Sequence, residues 1–448
     1  VQSNVCPEAL PQHEVTNAVR QRRENTICRL AAGVTVALAL LLALKTPYSL
    51  RQLPMPDPWA YRFAVENFAQ GKWVVTDREA AEGRKQARLE GGHLTQYVQM
   101  APDRWVLEKA PGYPLLAVPF QWVGMPRLAN VALALLAALA LYVALAAWRD
   151  EFVALLGVTV FSWSPISVAA THYAHMDTFA SGALLVIGGA LSLWYDAQAE
   201  QRSIAPLMLF AAGLASGWAV LVRLPSVLLL GLIVLYLALS VRRRRESAGR
   251  SVWLHLGAFG LGCALALAVL AIYNLAVFDR LFDTGYRLTP YRSFLVWGTA
   301  ETGATARSLG WLTVGPVVTI ASAVVEQITL GIKPLILGWP LLPLVLVESF
   351  LALRDRQARS FTWWTILWLL VAFLSYAGFA GLSKELTFPF RRTWGFFMID
   401  RYVFPAALPI TLLATSLLAR LPRRLATVFA LAFVAASAWL SLQALTIR

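Results

Sequence analysis

The sequence predicts an all-α polytopic membrane protein, and three observations predict it. Of 448 residues, 58% are hydrophobic and only 14% are charged, against about 25% charged in an ordinary soluble domain. Apolar stretches of about 18–22 residues recur along the whole chain, each long enough to cross a hydrocarbon core of about 30 Å. Arginine clusters fall at alternate ends of those stretches, as the positive-inside rule requires of short cytoplasmic loops. Backbone groups in hydrocarbon must bond within their own segment, so the spans are helices. A net charge of +14 would suggest nucleic acid in a soluble protein. Here it belongs to helix-end anchors such as the four arginines at 242–245, and no nucleic acid partner is expected.

Residues 1–29 read as a polar cytoplasmic N-terminal segment, and residues 30–448 as one transmembrane domain. The first span, 30–46, follows Arg20, Arg22, Arg23 and Arg29 without a small-residue cleavage site, which reads as a retained signal anchor. A large extracytoplasmic loop, 48–127, comes next and is expected to carry the active site. Within it, Trp59, Phe63 and Phe68 fall near helical spacing and predict a surface helix over 58–70. Residues 94–107 read as a hairpin. Residues 113–123 are apolar but short and broken by Pro114 and Pro119, so they predict an interfacial helix.

Further spans are expected at 128–148, 152–170, 177–195, 204–222, 225–241, 253–271, 333–353 and 361–382. Two more flank Arg420, Arg423 and Arg424. Residues 309–330 are ambiguous between a surface helix and a crossing. Keeping them out of the membrane leaves the arginines near 149, 202, 242, 354 and 420 all cytoplasmic. The count is then about eleven crossings, N-terminus in and C-terminus out. Cys6, Cys28 and Cys263 show no disulfide or metal spacing.

On this topology the polar gaps 48–127, 273–307 and 383–402, the turn from His172 to Asp177, and Arg223 gather on the outer face. Ionisable groups at a membrane face line a cavity, because facing lipid costs several kcal/mol. Lys109, Arg223 and Arg401 suit phosphate oxygens. Trp59, Tyr61, Tyr97 and Trp394 suit a sugar's apolar face and its hydroxyls. A carboxylate suits the general base that activates an acceptor hydroxyl. A phosphate neutralised by cations then leaves without an acid. Arg223 sits in an apolar stretch, so its structural alternative is a carboxylate partner. His172 and His175 are spaced like a metal pair but have no clear third ligand, and no metal site is assigned.

Several segments, in order, carry a resemblance. They are Asp57 with Tyr61; Lys109-Ala110-Pro111-Gly112-Tyr113-Pro114-Leu115-Leu116; His175-Met176-Asp177-Thr178; Leu221-Val222-Arg223-Leu224-Pro225; Tyr273-Asn274 with Phe282-Asp283-Thr284-Gly285-Tyr286; and Asp400-Arg401-Tyr402-Val403-Phe404-Pro405. Together they resemble the polyprenyl-phosphate-sugar-dependent glycosyltransferases of the GT-C superfamily, in the branch with protein O-mannosyltransferases and lipid A aminoarabinose transferases. The resemblance implies a GT-C-like fold in the plasma (inner) membrane. It implies a polyprenyl-phosphate-sugar donor, an acceptor that is a glycan, lipid or protein, and surrounding membrane lipid. Asp57 would be the catalytic base and Asp177 a second acid of the site. Lys109, Arg223 and Arg401 would hold the donor phosphate. Trp59, Tyr61, Tyr97 and Tyr286 would contact sugar or acceptor. Some relatives hold a divalent cation (Mg or Mn) and others do not, so the resemblance leaves a cofactor open. Pro58 stands where protein mannosyltransferases have a glutamate after the aspartate, which argues against protein mannosylation. Two other classes remain: a transporter or flippase, which would show internal repeats with charges near mid-bilayer, and a non-catalytic subunit of a membrane complex.

Overall fold

A computed structural model describes residues 12–45, 56–173, 175, 177–198, 203–248, 251–281, 283, 285–288, 339–355, 359–387 and 401–446. The segment 309–330 and residues Trp394 and Asp400 lie outside the described residues. Tyr286 and Arg401 lie on short 3₁₀ turns, Gly285–Leu288 and Arg401–Ala406; their side chains are outside the description.

Helix α1 (Gln12–Lys45) leads into a polar module, after which come α5 (Leu128–Trp148), α6 (Glu151–Trp163), α7 (Pro165–His172), α8 (Asp177–Gln198), α9 (Ala205–Val222), α10 (Ser226–Ala248) and α11 (Ser251–Phe278). The later helices are α12 (Leu342–Arg354), α13 (Arg359–Thr387), α14 (Ala407–Ala419) and α15 (Arg423–Thr446). Among the described residues six helices are long and apolar enough to cross a membrane, and seven if α6 and α7 form one bent span. Segments 226–242, 359–373 and 404–419 are shorter apolar helices.

The expected span over 152–170 is broken. Pro165 has no N–H for the helical ladder, and its ring crowds the preceding turn. Ser164 leaves the helix at φ −56°, ψ 132°, its hydroxyl accepts from the Ser167 N–H, and the chain turns by 57°.

Helix α9 packs between α8 and α11. Gly213 and Gly217 face α11 at a spacing of four, and a Cβ on Gly213 would lie 2.0 Å from the Phe259 carbonyl oxygen. Small residues let the two backbones close up, which is how helices associate in lipid without a hydrophobic drive. Helix α8 is the bundle's centre, with 94% of its apolar window buried, whereas α1 and α15 are largely uncovered.

The polar module between α1 and α5 holds α2 (Pro56–Phe68), β1 (Val74–Val75), α3 (Asp77–Leu89), β2 (Tyr97–Ala101), β3 (Arg104–Leu107) and α4 (Gly112–Trp122). The strands make an antiparallel sheet of order β1-β3-β2. The surface helix, the hairpin and the interfacial helix stand close to the expected segments. Helix α3 and strand β1 are additions. Thr76 caps α3, and Glu79 reaches back to the Thr76 N–H at 2.9 Å, a reciprocal capping box.

Candidate active site

Helix α2 brings two parts of the site together, because Asp57 and Tyr61 are four residues apart and share one face. Asp57 is in the first turn and 7% exposed. Its Oδ1 lies 3.6 Å from Lys109 Nζ and accepts a hydrogen bond from Gln96 Nε2. Lys109 follows β3, and Gln96 precedes β2. The Glu108 N–H donates to the Gln96 carbonyl at 2.9 Å, which ties the two segments together.

One turn along α2, the Tyr61 hydroxyl donates to Asp177 Oδ2 at 3.0 Å, and Arg223 Nη1 donates to the same oxygen at 3.0 Å. Asp177 opens α8 and Arg223 follows the last residue of α9, so antiparallel neighbours deliver the pair to one end. Both side chains are almost fully buried, at 4% and 6% exposed. A buried charge is tolerated only when paired, so Arg223 has the carboxylate partner expected as its structural alternative.

The turn before Asp177 is built to place it. His175 takes a left-handed φ of 62°, and its N–H donates to the Tyr113 hydroxyl at 2.7 Å. Tyr113 meets Tyr61 edge-on with ring centres 5.3 Å apart. Burial, with a smaller effect from the Arg62 charge, pulls the His175 imidazole down to about 3, so the ring is neutral. Gly112 allows α4 to start against α9: a Cβ there would lie 2.4 Å from the Leu221 carbonyl carbon, and Trp218 Nε1 donates to the Gly112 carbonyl at 3.0 Å.

Four of the five charged residues marked from the sequence thus fall into two ion pairs, Asp57–Lys109 and Arg223–Asp177, joined by Tyr61. On the turn that begins at Arg401, Phe404 packs on Phe179 and Gly182 of α8. The turn carrying Tyr286 touches Glu108: a Cβ on Gly285 would lie 2.6 Å from Glu108 Cα. Trp59 and Tyr97 are 4% and 3% exposed and sit in the packing of the module, Tyr97 edge-on to Phe63 at 4.8 Å.

The site also holds residues that sequence motifs did not assign. Gln96 orients Asp57 and belongs to no motif. Tyr113 was quoted only as part of a segment. Glu108, adjacent to Lys109, is 8% exposed. Burial pushes its carboxyl up to about 7; the Lys109 charge pulls against that and the Asp57 charge adds to it.

The described donor set does not suit a divalent cation. Asp57 and Asp177 each already face a cation, and among the described residues no three of His, Cys, Asp and Glu stand together as a metal site would need. His172 Nδ1 is within 2.7 Å of the Ala43 carbonyl oxygen, and His175 packs on Tyr113.

No known family profile and no curated protein matches the sequence. Solved structures do. The archaeal oligosaccharyltransferase AglB from Archaeoglobus fulgidus, in complex with an inhibitory peptide and a dolichol-phosphate, is similar with a TM-score of 0.51 at 12% identity, over 92% of this chain and 55% of that one. ArnT from Cupriavidus metallidurans, bound to undecaprenyl phosphate, is similar with a TM-score of 0.49 at 17% identity, over 89% and 60%. The chain therefore spans less than two thirds of the length of either protein. The likeness to the oligosaccharyltransferase shows the fold alone: the chain shares the fold of that protein.

Proposed function

We propose that a chain with this fold is an integral membrane glycosyltransferase that moves a sugar from a polyprenyl-phosphate-linked donor to an acceptor hydroxyl, with Asp57 as general base. The observation that carries this reading is the convergence of a buried, cation-paired Asp57 with a Tyr61–Asp177–Arg223 chain on one helix face at one end of the bundle.

Lys109 stands 3.6 Å from Asp57 and sets a positive charge beside the base. Gln96 donates to one carboxylate oxygen and holds the group in place. Asp57 takes the proton from the acceptor hydroxyl. The acceptor oxygen then bonds to the sugar's anomeric carbon, and the bond from that carbon to the carrier phosphate breaks. The electron pair leaves with the phosphate, a dianion that needs cations but no acid. Lys109 and Arg223 supply positive charge, and Arg401 joins them in this reading. Asp177 holds Arg223 and Tyr61 in place. Tyr61 and Tyr113 are fully buried and brace Asp177 and the turn before it, and Tyr286 is assigned to sugar or acceptor in this reading. The site faces the extracytoplasmic side of the plasma (inner) membrane, with the N-terminus in the cytoplasm.

The test is Asp57→Asn in the purified, detergent-solubilised chain, assayed for sugar transfer from a polyprenyl-phosphate donor. Loss of a general base lowers the rate by about 10²–10⁴-fold. Unimpaired turnover would remove Asp57 from its role. Detergent leaves no compartments, so a transporter would score nothing in this assay with either form.

A further inference from the structure

Helix α5 carries an amide into the bundle. Its sequence is apolar apart from Asn130 and the Tyr142 hydroxyl. Asn130 is fully buried. An unbonded amide at such a depth costs free energy that a leucine of similar size would not, so the bonds it makes must account for it.

Those bonds go to one place. An α-helix leaves its last four carbonyls without an intrahelical donor. At the end of α7, Asn130 Nδ2 donates to the Ala170 carbonyl at 3.3 Å and to the Tyr173 carbonyl at 2.7 Å. Arg127, one turn before Asn130, donates from Nη2 to the His172 carbonyl at 3.3 Å. The surroundings fix which way the Asn130 amide lies, because turned over it would set Oδ1 against two carbonyl oxygens. As it lies, Oδ1 has no donor among the described residues. A side chain that only filled space would carry no such cost.

The carbonyls held by α5 lead into the site. Tyr173 leaves α7 in an extended conformation. His175 follows with its left-handed φ of 62° and its N–H on the Tyr113 hydroxyl. Asp177 then opens α8. Helix α5 thus grips the entry of this link and α4 its middle, and Asp177 Oδ2 meets both Tyr61 and Arg223 at 3.0 Å. A shift of about 1 Å would take both contacts out of hydrogen-bond range and draw the carboxylate away from a buried guanidinium.

We infer that Asn130 is a positioning residue for the transfer reaction, acting through the α7–α8 link that sets Asp177 against Arg223. The inference rests on the reading of Arg223 as a cation for the leaving phosphate.

The test is Asn130→Leu in the purified full-length chain in detergent, assayed beside the parent for sugar transfer from a polyprenyl-phosphate donor. Turnover falls by about 10–10²-fold, the scale of a misplacement of about 1 Å, at an unchanged melting temperature. Asn130→Ala takes its place if the leucine variant melts early. In an Asp177→Asn background the same substitution costs less than about twofold, because the group it places is already altered; a merely structural residue costs the same factor in both backgrounds. Hydrogen exchange at the Tyr173 and His175 amides quickens by about tenfold or more, and exchange elsewhere in the bundle does not. Transfer by Asn130→Leu within about twofold of the parent, an undiminished loss beside Asp177→Asn, or exchange quickened throughout the chain would overturn the inference. A parent chain that transfers nothing, or a fully active Asp57→Asn, removes the reading of function instead. The two amides then decide the placement: quickened exchange in Asn130→Leu upholds it, and unchanged exchange overturns it.

Discussion

Glu108 is the carboxyl of the site whose titration is moved to near neutrality. Its folded pKa of about 7 lies above the usual value of 4.5, with burial as the main cause. A raised carboxyl pKa stabilises the fold in the protonated form. That contribution is complete below about 4.5 and is lost as pH rises through about 7. Glu108→Gln keeps the shape and cannot ionise, so measured against that variant the parent chain should lose up to about 3 kcal/mol of stability between pH 5 and pH 8. The melting-point difference between the two chains in detergent, followed over that range, checks it. The same variant should remove any limb near pH 7 from the transfer rate. A profile unchanged by Glu108→Gln would assign that limb to another group. Sequence spacing marked Asp57, Lys109, Asp177 and Arg223, because each lies in a short motif beside a span. It gave no sign of Gln96, whose value comes only from the hairpin that carries it to Asp57. Trp59 and Tyr97 show the converse limit. Their composition suits a sugar face, but packing turns both into the module, and in Tyr97 burial pushes the hydroxyl well up.

At the scale of elements, the legible ones were those with apolar periodicity. Helix α2, the β2–β3 hairpin and α4 each carry a pattern that burial enforces. Helix α3 was missed because its sequence is mostly charged and buries only Ala80 and Ala87. The available signal was Thr76-Asp77-Arg78-Glu79, a capping box in letters. That box is testable. The ion pair with Lys72 comes first, then the Thr76 N–H, and together they pull the Glu79 carboxyl down to about 2. Its stabilising effect is present above about 4.5 and fades as pH falls toward 2. Because the pair is partly exposed, Thr76→Ala and Glu79→Gln should each cost only about 1 kcal/mol. Hydrogen exchange should show the loss confined to 77–89. The break between α6 and α7 was written at Ser164-Pro165, but a hydropathy window averages over a proline and sees one span.

Across the whole molecule, the two ends of the bundle differ in kind. One end is tied by exposed cation–carboxylate pairs between distant helices, Arg29–Glu151 at 2.6 Å and Arg423–Glu24 at 3.4 Å. The other end carries the polar module and the buried pairs. The reading of sidedness predicts that Arg88→Cys, on the exposed side of α3, reacts with an impermeant maleimide in intact cells. Arg20→Cys should react only after the membrane is opened. Both variants are made in a chain whose three native cysteines are serine. Labelling of both positions from one side would refute the assigned orientation.

Gly112 seats the start of α4 on the backbone of α9, and Tyr61 hooks α2 to α8. The polar module is therefore moored at two points rather than hinged. A staple across that seam would join parts that already travel together and would go unnoticed. Any doorway for a long-tailed molecule must open elsewhere, between the rods.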